Sequence, residues 1–66
     1  MNINKLRGKI VEKGMNVETV ARLIGINRSS MYRKLNNCKL FTIAEAGKLK
    51  EVLNLSGEEA TDIFFG

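Results

Sequence analysis

Residues 16–37 have the sequence NVETVARLIGINRSSMYRKLNN, and this stretch decides the fold. Its first half predicts a helix over residues 17–24, with Asn16 as the N-cap. Helical spacing gives this helix an apolar stripe made of Val20, Ala21, Leu23 and Ile24. Gly25 follows at the point where a helix ends and the backbone needs a positive φ. The first half therefore predicts a short helix that ends in a tight turn.

The second half of the stretch predicts another helix, over residues 28–36, with Asn27 as its N-cap. Met31 and Leu35, four residues apart, supply its inner side. The other side carries two guanidinium groups, a hydroxyl, a phenol and no acid, from Arg28, Ser29, Tyr32 and Arg33. Two short helices joined by about three residues that include a Gly are the sequence form of a helix-turn-helix. The motif covers about residues 16–36.

The run ARLIGINRSSMYRKLNN resembles the helix-turn-helix of the lambda-repressor-like family of bacterial and phage regulators (the XRE family, Cro type). The matching features are the pair Ala21 and Gly25, the apolar residue after the Gly, the polar opening at residues 27–30, and the apolar Met31. With its flanking helices the resemblance extends over nearly the whole chain, whose size resembles that of stand-alone Cro-like repressors of temperate phages. It implies one compact, all-α, five-helix DNA-binding domain over residues 1–66.

Composition favours a single folded, all-helical domain. Sixty-six residues form one domain, and 44% hydrophobic with 27% charged residues does not indicate disorder. The chain has no Pro and no sustained alternation of apolar and polar residues, which favours an all-helical fold. No stretch approaches the roughly 18 apolar residues that span a bilayer, and the amino terminus lacks an apolar signal core. We therefore expect a cytoplasmic protein, and the resemblance implies the bacterial cytoplasm or nucleoid.

Charge is distributed unevenly along the chain. Residues 1–40 hold nine Lys or Arg and two Glu, a formal charge of +7, whereas residues 41–66 carry −3. The basic part coincides with the helix-turn-helix and the segment before it. A sequence pI of about 9.6 with clustered cations is typical of a protein that binds a polyanion. The alternative is an ordinary solvated surface.

The 28–36 helix is where base recognition is expected. The major groove admits a helix and displays a distinct pattern of donors and acceptors for each base pair. Residues at the helix start and one turn later face the base edges, which nominates Arg28, Ser29, Tyr32 and Arg33. Arg is the usual bidentate partner of guanine. For Tyr32 the alternative is that the ring covers the flank of the helix.

Phosphate contacts are predicted around this helix, mostly because the family places the corresponding segments along the DNA backbone. The predicted contacts are Asn16, Thr19, Arg22, Asn27, Lys34, Asn36, Asn37 and Lys39. Lys34 equally fits a solvated charge. Many relatives have Gln where this chain has Val17, and Val17 cannot bond a phosphate as that Gln does. Neighbouring polar residues would have to supply the contact.

The remaining segments predict three further helices. The first covers residues 3–13 and ends at Gly14. Capping boxes at Thr42 with Glu45 and at Ser56 with Glu59 predict the last two. The predicted inner stripe of the fourth helix is Ile43, Ala46, Leu49, Val52 and Leu53.

The fifth helix, about residues 57–64, is followed by a strongly apolar end. Ile63, Phe64 and Phe65 are candidates for a self-complementary dimerisation patch. The alternative is that the two phenylalanines fold back onto the first and fourth helices. A homodimer, formed in advance or only on DNA, would place two copies of the recognition helix in successive major grooves.

These observations predict a sequence-specific, double-stranded DNA-binding transcriptional regulator that would block or recruit RNA polymerase at an operator, and the resemblance implies a phage or prophage Cro-like repressor. No His, a single Cys and no glycine-rich phosphate loop argue against an enzyme, a metal site and a cofactor. The alternative function is a protein-interaction module, antitoxin-like or a modulator of repression, on the same fold. Neutralising Arg28 and Arg33 would leave the activity of such a module intact.

Overall fold

The computed structural model describes residues 2–37 and 40–65, and these residues are helical with no strand among them. The helices are α1 (Ile3–Glu12), α2 (Val17–Ile24), α3 (Arg28–Asn36), α4 (Ile43–Val52) and α5 (Gly57–Phe64). The bounds predicted from the sequence for the second, third and fifth helices are confirmed. The first helix ends one residue earlier than predicted, because Lys13 is its C-cap.

Each of these helices begins at a side chain that accepts a hydrogen bond from a backbone N–H of the first turn. The capping residues are Asn2, Asn16, Asn27, Thr42 and Ser56. In α4 and α5 the predicted capping boxes are confirmed, since Glu45 and Glu59 accept in return from the backbone N–H of the cap. One such cap stabilises a helix by about 1 kcal/mol. The short helices are therefore specified locally before they pack.

Three helices end in the same way, at a residue in the left-handed conformation. Gly14 has φ 71°, Gly25 has φ 85° and Asn54 has φ 50°. The N–H of the next residue then donates to a carbonyl five residues earlier, as in a Schellman motif. Those next residues are apolar and belong to the core or pack against it: Met15, Ile26 and Leu55. Each ending thus turns the chain and adds an apolar side chain to the interior.

Helix α3 ends differently, without a residue in the left-handed conformation. Asn36 is the last helical residue, and Asn37 is extended, with φ −139° and ψ 91°. The N–H of Asn37 donates to the carbonyl of Arg33, so the last helical hydrogen bond forms without a left-handed residue. The backbone N–H of Leu40 then donates to the carbonyl of Asn37 at 3.0 Å.

One apolar core joins the helices. Its buried members are Leu6, Ile10, Val20, Ala21, Ile24, Met31, Leu35, Leu49, Leu53, Leu55 and Ile63. Helix α2 packs on both α3 and α4, while α1 packs on α5. The backbone N–H of Asn2 donates to the carbonyl of Ile63 at 2.6 Å, and Lys9 pairs with Glu59, so both bonds join α1 to α5. Among the described residues, no helix is both long enough and apolar enough to cross a membrane.

Two apolar side chains are exposed: Leu23, which belongs to the predicted apolar stripe of α2, and Ile43, which was predicted to face the core. Leu23 of α2 is 52% exposed, because it lies about 100° around the helix from Ile24 and away from the arc that faces α3 and α4. Ile43 of α4 is 94% exposed. At 3.6 residues per turn, Ile43 and Glu45 lie about 200° apart around α4. Because Glu45 faces α3, Ile43 faces away from α3 and toward solvent.

Candidate nucleic-acid interface

The outer side of α3 carries the four residues predicted to face bases. Met31 and Leu35 are buried, and this fixes which side of the helix faces the core. The four predicted residues, Arg28, Ser29, Tyr32 and Arg33, are all exposed. Among residues 2–37 and 40–65, no carboxylate lies within ion-pairing distance of either arginine. Helix α3 therefore presents two uncompensated guanidinium groups to solvent.

Arg28 and Tyr32 contact each other one turn apart on this surface. The guanidinium carbon of Arg28 lies 5.8 Å from the centroid of the Tyr32 ring. A cation over an aromatic face at this distance is a weak attraction of about 0.5–1 kcal/mol at an exposed site. The contact restrains both side chains in a part of α3 where packing does not. The ring lies beside Arg28 along the outer side of the helix.

The capping asparagines of α2 and α3 were predicted to contact phosphates. The Oδ1 atoms of Asn16 and Asn27 accept from the backbone N–H groups of Thr19 and Ser30, each at 2.8 Å. An Asn side chain also carries two N–H donors, which these bonds leave unused. The amide groups are therefore held at the two helix N-termini with donors remaining for an anion.

The other predicted phosphate contacts are in different environments. Arg22, Asn36 and Asn37 are exposed, and Thr19 is half-buried in the first turn of α2. Lys39 lies outside the described residues. The structure thus leaves three of these side chains accessible on the α2–α3 pair.

Lys34 has a partner that the sequence analysis did not identify. Its Nζ donates to Oε1 and Oε2 of Glu45, at 2.6 and 2.5 Å, and each side chain is only 14% exposed. This hydrogen bond, with a smaller contribution from the backbone N–H of Thr42, lowers the pKa of Glu45 below its ordinary value. Glu45 was predicted only as part of a capping box. The available signal was a Lys in the last turn of one helix followed by an acid in the first turn of the next.

The apolar carboxyl end is divided between the core and the surface. Ile63, a predicted dimer contact, is 1% exposed and packs in the core, so its side chain is not presented at the surface. Phe64 packs partly against the core, which matches the alternative that a phenylalanine folds back. Phe65 is 86% exposed. Only one of the two phenylalanines therefore projects from the surface.

An open groove of about 600 Å³ lies between α4 and α5. Its lining is mostly apolar and includes Phe41, Ile43, Ala46, Ala60, Phe64 and Phe65. Ile43 and Phe65 are also the two most exposed large apolar side chains among the described residues. A concave apolar surface and two projecting apolar side chains thus occur together.

Comparisons of the chain with protein-family models, with curated proteins and with solved structures found no match.

Proposed function

We propose that this chain is a sequence-specific, double-stranded DNA-binding regulator with a lambda-repressor-like helix-turn-helix formed by α2 and α3. One observation carries the proposal. The outer side of α3 presents Arg28 and Arg33 with Ser29 and Tyr32, and no acid accompanies them. A helix with this surface, held by a three-residue connection to the helix before it, has the dimensions and donors that suit a major groove.

In this proposal the outer side of α3 faces base edges. Arg28 and Arg33 each donate two hydrogen bonds to a guanine, a pairing worth roughly 1–3 kcal/mol of discrimination. Ser29 adds a weakly selective hydroxyl, and Tyr32 contacts a thymine methyl group or a phosphate. Phosphate contacts from Arg22 and from the amides at the start of α2 orient the protein without reading sequence.

The proposal includes a homodimer, because one helix of this length contacts few base pairs. Two copies related by a two-fold axis contact half-sites one helical turn apart, about 34 Å. We assign the dimer contact to the groove between α4 and α5. A two-fold contact needs a surface that complements itself, and here Ile43 and Phe65 project beside the groove that would receive the partner's copies. The resemblance to Cro-like phage and prophage proteins supports repression as the role of such a dimer at its operator.

A protein-interaction module is the second candidate, and the same groove is the observation that favours it. A module of this kind would act through α4 and α5 and would not need the outer side of α3. The double variant Arg28→Ala/Arg33→Ala separates the two candidates, because it removes both guanidinium groups and leaves the groove unchanged.

Selection of duplexes from a random library tests the proposal. The wild-type protein should enrich near-palindromic sites with guanines in each half-site, spaced by about one helical turn. The double arginine variant should enrich no site while keeping its helical circular dichroism spectrum. A library that stays random after selection with the folded wild-type protein would contradict sequence-specific binding.

A further inference from the structure

The Glu45 carboxylate connects two helices. Its Oε1 accepts from the backbone N–H of Thr42 at 2.9 Å, which completes the cap of α4. Both of its oxygens also accept from Lys34, in the last turn of α3. One carboxylate therefore holds the start of α4 and the end of α3 at the same time.

The chain contains a second arrangement of the same kind, at the start of α5. There Oε1 of Glu59 accepts from the backbone N–H of Ser56 at 3.0 Å. Lys9 of α1 pairs with the other oxygen of that carboxylate. The two arrangements differ in what they join, since Glu59 joins α5 to α1 and Glu45 joins α4 to α3. They also differ in shielding, because the Lys9 and Glu59 side chains are more exposed than Lys34 and Glu45. A shielded pair is less weakened by salt.

We propose that Glu45 is a positioning residue for DNA recognition, which acts through Lys34 to fix the carboxyl-terminal half of α3 against α4. This inference rests on the proposed function. Arg33 immediately precedes Lys34 on α3, so a fixed Lys34 holds the backbone from which Arg33 extends. Bidentate recognition of a base needs that backbone at one position and angle.

In this proposal Lys34, which was predicted to contact a phosphate, has a structural role instead. Its ammonium is shielded and bound by both carboxylate oxygens. A phosphate could take it only by breaking that pair and leaving Glu45, a negative charge, near the DNA. Lys34 therefore serves the geometry of α3 and does not contact a phosphate.

The test compares Glu45→Gln with Glu59→Gln. Each variant removes one negative charge and one interhelical ion pair, and Gln can still accept the hydrogen bond of a capping box. The measured quantity is the ratio of dissociation constants for a scrambled duplex and for the duplex found by selection, at one salt concentration. Glu45→Gln should lower this ratio by about five- to tenfold, a loss within the range of one base contact. Glu59→Gln should leave it unchanged.

Lys34→Met provides a second variant on the other side of the pair. It should lower the ratio as Glu45→Gln does, and the double variant should be no worse than either single variant, because both remove the same interaction. If Lys34 instead contacts a phosphate, Glu45→Gln and Lys34→Met should change the affinity for DNA in opposite directions. Glu45→Gln would then free Lys34 and strengthen binding to both duplexes beyond Glu59→Gln, and Lys34→Met would lower the salt slope by about one. That result would overturn the inference.

Hydrogen exchange of the free protein provides a measurement that needs no DNA. Glu45→Gln should accelerate exchange of the α3 amides more than that of the α1 amides, and Glu59→Gln should do the reverse. Equal exchange and equal ratios in the two variants would refute the positioning role while leaving the proposed function intact. A wild-type protein that prefers no duplex would contradict the proposed function itself, and the recognition role of Glu45 with it.

Discussion

Lys48 of α4 reaches the end of α2 at Gly25. Its Nζ lies 3.9 Å from the position that a Cβ atom on Gly25 would occupy, which is an ordinary van der Waals distance. A Cβ atom at residue 25 would therefore not clash, and the constraint on this residue is its backbone, with φ 85°. We expect Gly25→Val to destabilise the protein by about 1–3 kcal/mol, because a β-branched residue resists a positive φ. Urea unfolding followed by circular dichroism measures the change.

Gly8→Ala is the matched control for this prediction. Gly8 lies inside α1, and a Cβ atom there would meet nothing within 4 Å. The substitution should stabilise the protein by about 0.5–1 kcal/mol, because Ala has the higher helix propensity. If Gly25→Val left the unfolding curve unchanged, the tight turn between α2 and α3 would not need a left-handed residue.

Base contacts and phosphate contacts should give different phenotypes on α3 and α2. Arg33→Ala should relax sequence preference at one base pair in each half-site, with a loss of about 1–3 kcal/mol for the preferred duplex. Arg22→Ala should weaken binding to all duplexes alike and lower the slope of log affinity against log salt by about one. Anisotropy titrations with preferred and scrambled duplexes measure both effects.

Arg7→Ala is the control for these two variants, since Arg7 is an exposed arginine on α1. It removes the same charge from a surface that the proposal does not place on DNA. If Arg22→Ala relaxed the sequence preference and Arg33→Ala weakened binding to all duplexes alike, the assignment of base contacts to α3 and phosphate contacts to α2 would be wrong.

The exposed apolar side chains beside the groove should control self-association. Phe65→Ser should weaken the dimer and with it the affinity for a palindromic site, while the free energy of unfolding of the monomer changes little, because Phe65 is already 86% exposed. Val11→Ser provides the comparison, since Val11 is 74% exposed on α1, outside the groove. Sedimentation velocity with and without the operator duplex measures both. Equal effects of the two substitutions on self-association would show that the groove does not form the dimer contact.

Acid should weaken the fold through Glu59. The hydrogen bond from Lys9, and then that from the Ser56 backbone, lower the pKa of Glu59 from 4.5 to about 2. Because the pKa is lower in the folded state than in the unfolded chain, the ionised carboxylate stabilises the protein above pH 4.5. This contribution is lost as the pH falls from 4.5 to about 2. In urea unfolding between pH 2 and pH 7, the free energy of unfolding should fall more steeply with decreasing pH for the wild-type protein than for Glu59→Gln.

For Glu59→Gln, the free energy of unfolding should still fall with decreasing pH over this range, but less steeply. The remaining dependence comes from Glu45, whose pKa is also lowered, mainly by the hydrogen bond from Lys34. Parallel profiles for the two proteins would mean that the Lys9–Glu59 pair does not stabilise the folded state in solution.

The helices were predictable because their ends are determined locally. Asn27 caps α3 with its own side chain, and Gly25 ends α2 through a backbone conformation that Gly favours. The exposure of Arg28 and Arg33 followed from helical spacing once Met31 and Leu35 were assigned to the core.

Features that depend on how the helices pack were not predictable. Ile43 fits an apolar stripe by type and spacing, but it lies on the side of α4 away from Glu45, which contacts Lys34, and it is exposed. That contact joins residues 11 positions apart on different helices, and periodicity within one helix does not predict it. The burial of Ile63 likewise depends on where α5 meets α1.

The central claim, that α3 binds duplex DNA, is tested most directly by fluorescence anisotropy of a labelled mixed-sequence duplex titrated with the protein at several salt concentrations. We expect binding that weakens steeply and log-linearly as salt rises, because phosphate contacts release condensed counterions. We also expect the duplex found by selection to bind at least about a thousandfold more tightly than the mixed sequence. No binding at low salt by a sample with a helical circular dichroism spectrum would contradict the claim, and equal affinity for all duplexes would contradict its sequence specificity.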